Sequence, residues 1–227
     1  MKAIFATISK TGARLNNEDY LHVIDSPEDN RLTGIVCDGM GGHAYGEVAS
    51  ETVCTSITRF WEKHADLSDC IIKVQKACQK ASEDIDRTAA EKGIHEMGTT
   101  MVMASIEDNT ATIAHVGDSR CYVQRPGKGL LHQTKDHTVQ KHGRQMVAKC
   151  FFTGHSTVSV PDIKTLQLQA GDRILLCSDG LYGPIEPSIL LDKMMEERPL
   201  EDILDEYDTM CDRDGHDNYS AILIELA

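Results

Sequence analysis

The chain has 227 residues, 41% of them hydrophobic, enough apolar material for the core of a single domain over residues 1–227. Lysine and arginine total 23 against 36 aspartates and glutamates, and the resulting net charge of -13 argues against a nucleic-acid partner and against an anionic membrane surface. No stretch approaches the run of about 18 apolar residues that a membrane span needs, and residues 1–19 are too polar for a signal peptide. The eight cysteines (Cys37, Cys54, Cys70, Cys78, Cys121, Cys150, Cys177, Cys211) contain no C-x-x-C pair, so a reducing, cytoplasmic location is expected and the cysteines read as small core hydrophobes.

In chain order, "KAIFATI", "YLHVID" and "LTGIVC" alternate apolar and polar between the turn signals "SKTG" and "DSPEDN", which predicts three strands. From Gly46 to His64, and again from Leu67 to about Lys92, the period changes. Ile71, Val74, Cys78, Ala81 and Ile85 recur at three or four residues, the spacing of one buried helical face. "TTMVMASIED", "TATIAHVGD", "RCYVQRPGKGLLHQT" and "IKTLQLQAGDRILLCSDG" then predict a second, largely antiparallel sheet with short hairpins. After Pro187, "SILLDKMMEER" and "LEDILDEYDTMC" return to helical period, and "NYSAILIEL" closes as a strand. The pattern is α+β, two mostly antiparallel central sheets with helices outside.

Five acids stand where strand ends meet turns: Asp19 in "NNEDY", Asp38 in "CDGMGG", Asp118 in "VGDSR", Asp179 in "CSDGL" and Asp217 in "GHDNY". A single Asp-Gly after a strand is ordinarily just a turn. At the mouth of a glycine turn, however, a carboxylate repels phosphate and suits a cation. Only Arg14, Arg120 and Lys135 stand near these turns to compensate five carboxylates. An oxygen-rich cluster of that kind is what Mg²⁺ and Mn²⁺ prefer.

Three other patterns compete. "GMGGHA" (Gly39 to Ala44) fits a dinucleotide fingerprint, but Asp38 would face the pyrophosphate and a second helix follows where a strand is required. "DIDRT" (Asp84 to Thr88) matches phosphatases with an aspartate nucleophile, yet it sits inside a helical period and reads as a solvated face. No cysteine has an arginine six residues later, so no cysteine-phosphatase loop exists.

Taken together, "RLNNED", "VCDGMGGHAYGEVAS", "MGTTMV", "AHVGDSRCYV", "TKDHT", "LLCSDGLYG" and "DNYSAILI" resemble, in order and from about Lys2 to Leu226, the metal-dependent serine/threonine protein phosphatases of type 2C in their bacterial form. The resemblance implies a four-layer α-β-β-α sandwich. It also implies hydrolysis of protein phosphoserine and phosphothreonine by a hydroxide bridging two Mn²⁺ or Mg²⁺ ions, with a weaker third ion in bacterial members.

Carried onto this chain, Asp38 bridges both ions, Asp179 and Asp217 hold the first, and the Gly39 carbonyl with Glu18 serves the second. Asp118 joins Asp179 in the third site, Arg14 binds substrate phosphate, and Asp19 orients water. His43, in the glycine-rich insertion, either protonates the leaving alkoxide or hydrogen-bonds the turn; Met40 stands where animal members carry their general-acid histidine. The implied partners are phosphorylated proteins and an opposing Ser/Thr kinase, the chain itself being a monomer. A flap between "TKDHT" and the next core strand looks cut back to residues 136–163. The alternative from another class is a catalytically silent phosphoprotein-binding regulatory module of the same fold.

Overall fold

The computed structural model describes residues 2–40, 45–141, 143–154 and 159–227. Strand alternation sets its layers. β3 (Arg31–Asp38) sends Leu32 and Val36 to one buried face and Ile35 and Cys37 to the other, so a strand covered on both sides reads as a nearly continuous apolar run. β13 (Arg173–Cys177) and β14 (Tyr219–Leu226) do the same, with Ile174, Leu176, Ile222 and Ile224 on one side and Leu175, Cys177, Ala221 and Leu223 on the other.

One sheet has the order β1 (Ala3–Lys10), β14, β13, β7 (Arg120–Arg125), β8 (Gly129–Gln133). The second runs β12 (Asp162–Gln167), β6 (Thr110–Val116), β5 (Met101–Glu107), β3, β2 (Asp19–Ser26). All neighbours are antiparallel. The inner faces meet through Val36, Val102, Ile106, Ile174, Ile222 and Ile224.

α1 (Gly46–Lys63) and α2 (Cys70–Lys92) cover the second sheet through Val53, Ile57, Val74, Cys78 and Ile85, which pack on Ile35 and Met103. α3 (Asp179–Tyr182), α4 (Pro187–Met194) and α5 (Leu200–Asp214) cover the first through Leu181, Leu190, Ile203 and Tyr207. The result is the four-layer α-β-β-α arrangement.

Several local expectations need correction. α2 begins at Cys70, not Leu67, because Asp69 accepts the Ile72 N–H at 3.0 Å and caps it. Asp84 of "DIDRT" is not on a solvated face: it is buried and takes hydrogen bonds from Ser56 (2.7 Å) and Lys80 (2.8 Å) and an ion pair from Arg87 (2.9 Å). Cys70 and Cys150 are only partly buried, unlike the other six cysteines. Residues 138–152 carry short strands that periodicity did not predict. β9 (Thr138–Lys141) pairs with β10 (Arg144–Val147), and β11 (Phe151–Phe152) pairs with β4 (Gly98–Thr99).

Gly34 faces the opposite sheet at close range. A Cβ there would stand 3.1 Å from Leu176 Cδ1 and 3.2 Å from Ile222 Cδ1. Gly34→Val is expected to overpack this layer and cost about 1–3 kcal/mol, read as a lower urea midpoint at unchanged m-value.

Candidate active site

Strands of both sheets end at one side of the sandwich, and the acids gather there. Asp19 opens β2 and Asp38 closes β3, facing each other in the ladder. Asp118 follows β6, Asp179 follows β13, and Asp217 precedes β14. A cleft of about 750 Å³ has Arg14, Asp38, Gly39, Asp118, Asp179 and Asp217 along one side. Met146, Val147, Lys149, Phe152 and Val160 line the other. His43 lies outside the described residues, and among those described no histidine lines the cleft.

The backbone around Asp38 is fixed before any side chain is aimed. Its N–H donates to Thr100 Oγ1 (3.1 Å), and its carbonyl accepts from the Thr100 N–H (2.9 Å) and Thr99 Oγ1 (2.8 Å). The Gly39 N–H donates to the Glu18 carbonyl at 3.0 Å. Glu18 therefore braces the turn through its backbone, while its carboxylate, with its pKa raised by burial and then by Glu47, is not among the groups lining the cleft.

Arg14 is delivered by the loop after β1. Its Nη2 donates to Asp217 Oδ2 at 2.8 Å and its Nε to the His216 carbonyl at 3.1 Å. Gly12 has φ +55°, and a Cβ on it would lie 2.3 Å from the Asp217 carbonyl oxygen, so only glycine lets the loop pass this close. Asn218 ties the same loop at three points. Its Nδ2 donates to the Thr11 and Asn16 carbonyls, each at 2.7 Å, and its Oδ1 accepts the Glu18 N–H at 2.9 Å. Sequence reasoning quoted the Asp-Asn pair but gave Asn218 no role; an amide, offering donors and an acceptor at once, was the available signal.

Asp19 is buried beneath the cleft. Its Oδ2 accepts from Ser178 Oγ at 2.7 Å, and Ser178 in turn accepts the Ser220 N–H at 2.9 Å. Burial pushes the Asp19 carboxyl up to about 7 against these hydrogen bonds. Asp118, held by Tyr182 Oη on its carbonyl (3.0 Å), is pushed to about 6 by burial and then by Asp179. Burial, followed by the charges of Asp19, Asp179, Asp118 and Asp217, drives Asp38 well above the carboxylate range, and burial with Asp217 raises Asp179.

The cations do not balance these acids. Arg120 spends its guanidinium on Asp136, at 2.8 and 2.7 Å, while stacked on the Tyr182 ring. Lys135 is exposed and does not line the cleft. Lys149, a cleft residue that sequence reasoning missed, pairs with Asp162 at 2.7 Å. Carboxylates pressed together this way take divalent cations, and an all-oxygen donor set fits Mg²⁺ or Mn²⁺.

A second cluster, His115, His137 and Asp162, could hold a cation by proximity alone. Its hydrogen bonds favour a brace. The His137 Nδ1 accepts the Gly117 N–H at 3.1 Å, which leaves its proton on Nε2, 3.3 Å from Asp162.

Comparison with known proteins agrees with this geometry. The family model described as protein phosphatase 2C matches residues 9–223. The protein phosphatase PhpP of Streptococcus pneumoniae is 30% identical over 210 residues, covering 83% of this chain and 82% of that protein. The serine/threonine protein phosphatase PstP of Mycobacterium tuberculosis is 31% identical over 197 residues, 80% of this chain but only 36% of the relative's length. A crystal structure of the PstP catalytic domain in complex with two manganese ions superposes with a TM-score of 0.81 at 27% identity, covering 98% of this chain and 97% of that one.

Carboxyls with raised pKa hold protons more tightly folded than unfolded, so their contribution to stability is present below about pH 4 and is lost as pH rises through the folded values, about 6 for Asp118 and about 7 for Asp19. In EDTA the melting temperature is therefore expected to fall between about pH 5 and about pH 8, and Mn²⁺ should restore more at the higher pH. Asp38→Asn should raise the melting temperature of the EDTA form at the higher pH and remove most of the Mn²⁺ effect. Asn218→Ala should cost about 1–3 kcal/mol and speed amide exchange across residues 11–18, measured by mass spectrometry.

Proposed function

The chain belongs to the protein phosphatase 2C family, and on that premise we propose that it hydrolyses phosphoserine and phosphothreonine in proteins with bound divalent cations. The convergence of Asp38, Asp179 and Asp217 with Arg14 in one cleft carries this reading. Asp38, Asp179, Asp217 and the Gly39 carbonyl would hold two ions, Mn²⁺ or Mg²⁺. Glu18 would reach the second through water, and Asp118 with Asp179 would form a weaker third position. When bound, the ions supply Lewis acidity, lowering the pKa of water and neutralising charge that develops on the phosphoryl group.

The chain's own groups do the rest. Arg14 presents a planar fork at the cleft, and once a cation takes over Asp217 its guanidinium is free to hold two phosphate oxygens in fixed geometry. Asp19, held by Ser178, orients groups above it without touching substrate. His43 is left with the two roles read from sequence, general acid or turn brace.

Met146, Val147, Ala148, Cys150, Phe152 and Val160 line the cleft with apolar surface beside Lys149 and Ser159, which suits a protein segment as substrate. This wall falls within residues 136–163, which we read as a shortened flap. An opposing Ser/Thr kinase, a monomeric state and a cytoplasmic setting complete the reading; among the described residues no helix is long and apolar enough to cross a membrane. The silent binding module has no observation of its own in its favour.

Phosphate release from a phosphothreonine peptide and from p-nitrophenyl phosphate tests the proposal. Turnover should require Mn²⁺ or Mg²⁺, vanish in EDTA and fall at least about a hundredfold in Asp179→Asn. A folded, metal-loaded protein without turnover on either substrate would defeat the reading.

A further inference from the structure

The outer edge of β1 carries a feature that the phosphatase cleft does not use. Lys2 and Ala227 exchange both backbone hydrogen bonds, N to O at 3.1 and 2.8 Å, so they form a hydrogen-bonded pair of the β1–β14 ladder. The register continues from Ala3↔Leu226 to Lys10↔Tyr219, and pairs alternate. Ile4, Ala6, Ile8 and Lys10 therefore spend their N–H and C=O groups on β14. Those of Ala3, Phe5, Thr7 and Ser9 point outward, and among the described residues no strand pairs with them.

This open edge borders a groove of about 500 Å³ whose floor is Phe5 to Lys10 and whose far wall is α5, through Glu201, Leu204, Asp205 and Asp208. The wall is acidic. The cation facing it, Lys10, is already paired with Asp208 at 3.1 Å, and Asp208 and Asp212 share the Tyr219 hydroxyl, each 2.6 Å from its Oη. On the opposite side of β1 the margin of the inter-sheet core is incompletely covered: Ala3, Phe5, Leu21 and Val23 pack there only partly buried.

We propose that the β1 edge is a docking site for an extended segment of a partner protein that pairs with Ala3–Ser9 and alternates basic with apolar side chains. Main-chain hydrogen bonds to Ala3, Phe5, Thr7 and Ser9 supply the register. Side chains of the added strand alternate between two environments. Those toward α5 meet Glu201, Asp205 and Asp208 and are lysine or arginine; those on the other side meet Phe5 and Val23 and are apolar. A second copy of this chain is disfavoured as the occupant. β1 paired with itself would bring two acidic α5 walls together on chains of net charge -13.

The test uses the whole chain and a fluorescently labelled (Lys-Val)4 peptide, with (Glu-Val)4 as its charge-reversed partner, measured by anisotropy. Thr7→Pro removes an outward N–H and no ladder bond, as proline on an edge strand allows. Circular dichroism melts check that each variant is folded. Saturable binding of (Lys-Val)4 that weakens about tenfold in Thr7→Pro and in Glu201→Lys/Asp205→Lys is the expected result. The double variant should instead take up (Glu-Val)4, and added salt should weaken the native interaction. Absence of saturable (Lys-Val)4 binding, or binding unchanged in both folded variants, overturns the proposal. So does a concentration-dependent dimer that Thr7→Pro dissolves, since the edge would then belong to a second copy.

Discussion

Mutual repulsion among carboxylates is the constraint on which this structure turns. Asp38, Asp118, Asp179 and Asp217 meet along one cleft above a fifth, buried acid, Asp19, and among the described residues Arg14, paired with Asp217, is the one cation set against them in the cleft's ion pairs. Such an arrangement costs folding free energy unless protons or divalent ions relieve it. The fold tolerates that cost because the acids sit at strand ends, where two sheets with a shared apolar interior hold the backbone rigid.

Rigidity at the cleft comes from backbone hydrogen bonds more than from contacts among the acids. Thr99 and Thr100 fix Asp38 from the neighbouring strand, Ser178 and Ser220 fix Asp19 from the opposite sheet, and Asn218 fixes the loop that carries Arg14. Each is a neutral group satisfying a neutral or charged partner, so the scaffold survives changes of charge at the centre. Arg14 provides the link between the two conditions of the site. It pairs with Asp217 across 2.8 Å, and under the proposed function it would turn toward phosphate once another cation held that carboxylate.

Away from the cleft the sandwich handles its charges locally. Arg125 pairs twice with the fully buried Asp172, and Arg173 reaches Glu225 from a neighbouring strand. These pairs close the far ends of the strands, while α5 keeps Glu201, Asp205 and Asp208 facing the β1 groove. Two groups of acids thus stand out, one lining the cleft and one bordering an open strand edge.

The sequence by itself determined the layers and most of the acid positions. Periods of two and 3.6 follow directly from which side chains touch the core, so the main strands, the two long helices and the turn placement of Asp19, Asp38, Asp118, Asp179 and Asp217 were legible, but not the sheet each strand joins: β5, β6 and β12 pair with β3 and β2, while β7 and β13 share the sheet of β1. Period gave less warning of the short β9–β10 and β11–β4 pairings, whose few residues carry too little alternation to register. It misjudged Asp84, because a buried acid on a helix looks like a solvated one until Ser56 of α1 arrives to donate to it. Tertiary structure alone put Asp19 under the cleft and the Glu18 carbonyl against the Gly39 turn. It also placed Lys149 and Met146 on the facing wall and left the outer edge of β1 unpaired. The physical reason is the same in each case: burial, hydrogen-bond partners and the free side of a strand belong to residues far apart in the chain, and no local spacing encodes them.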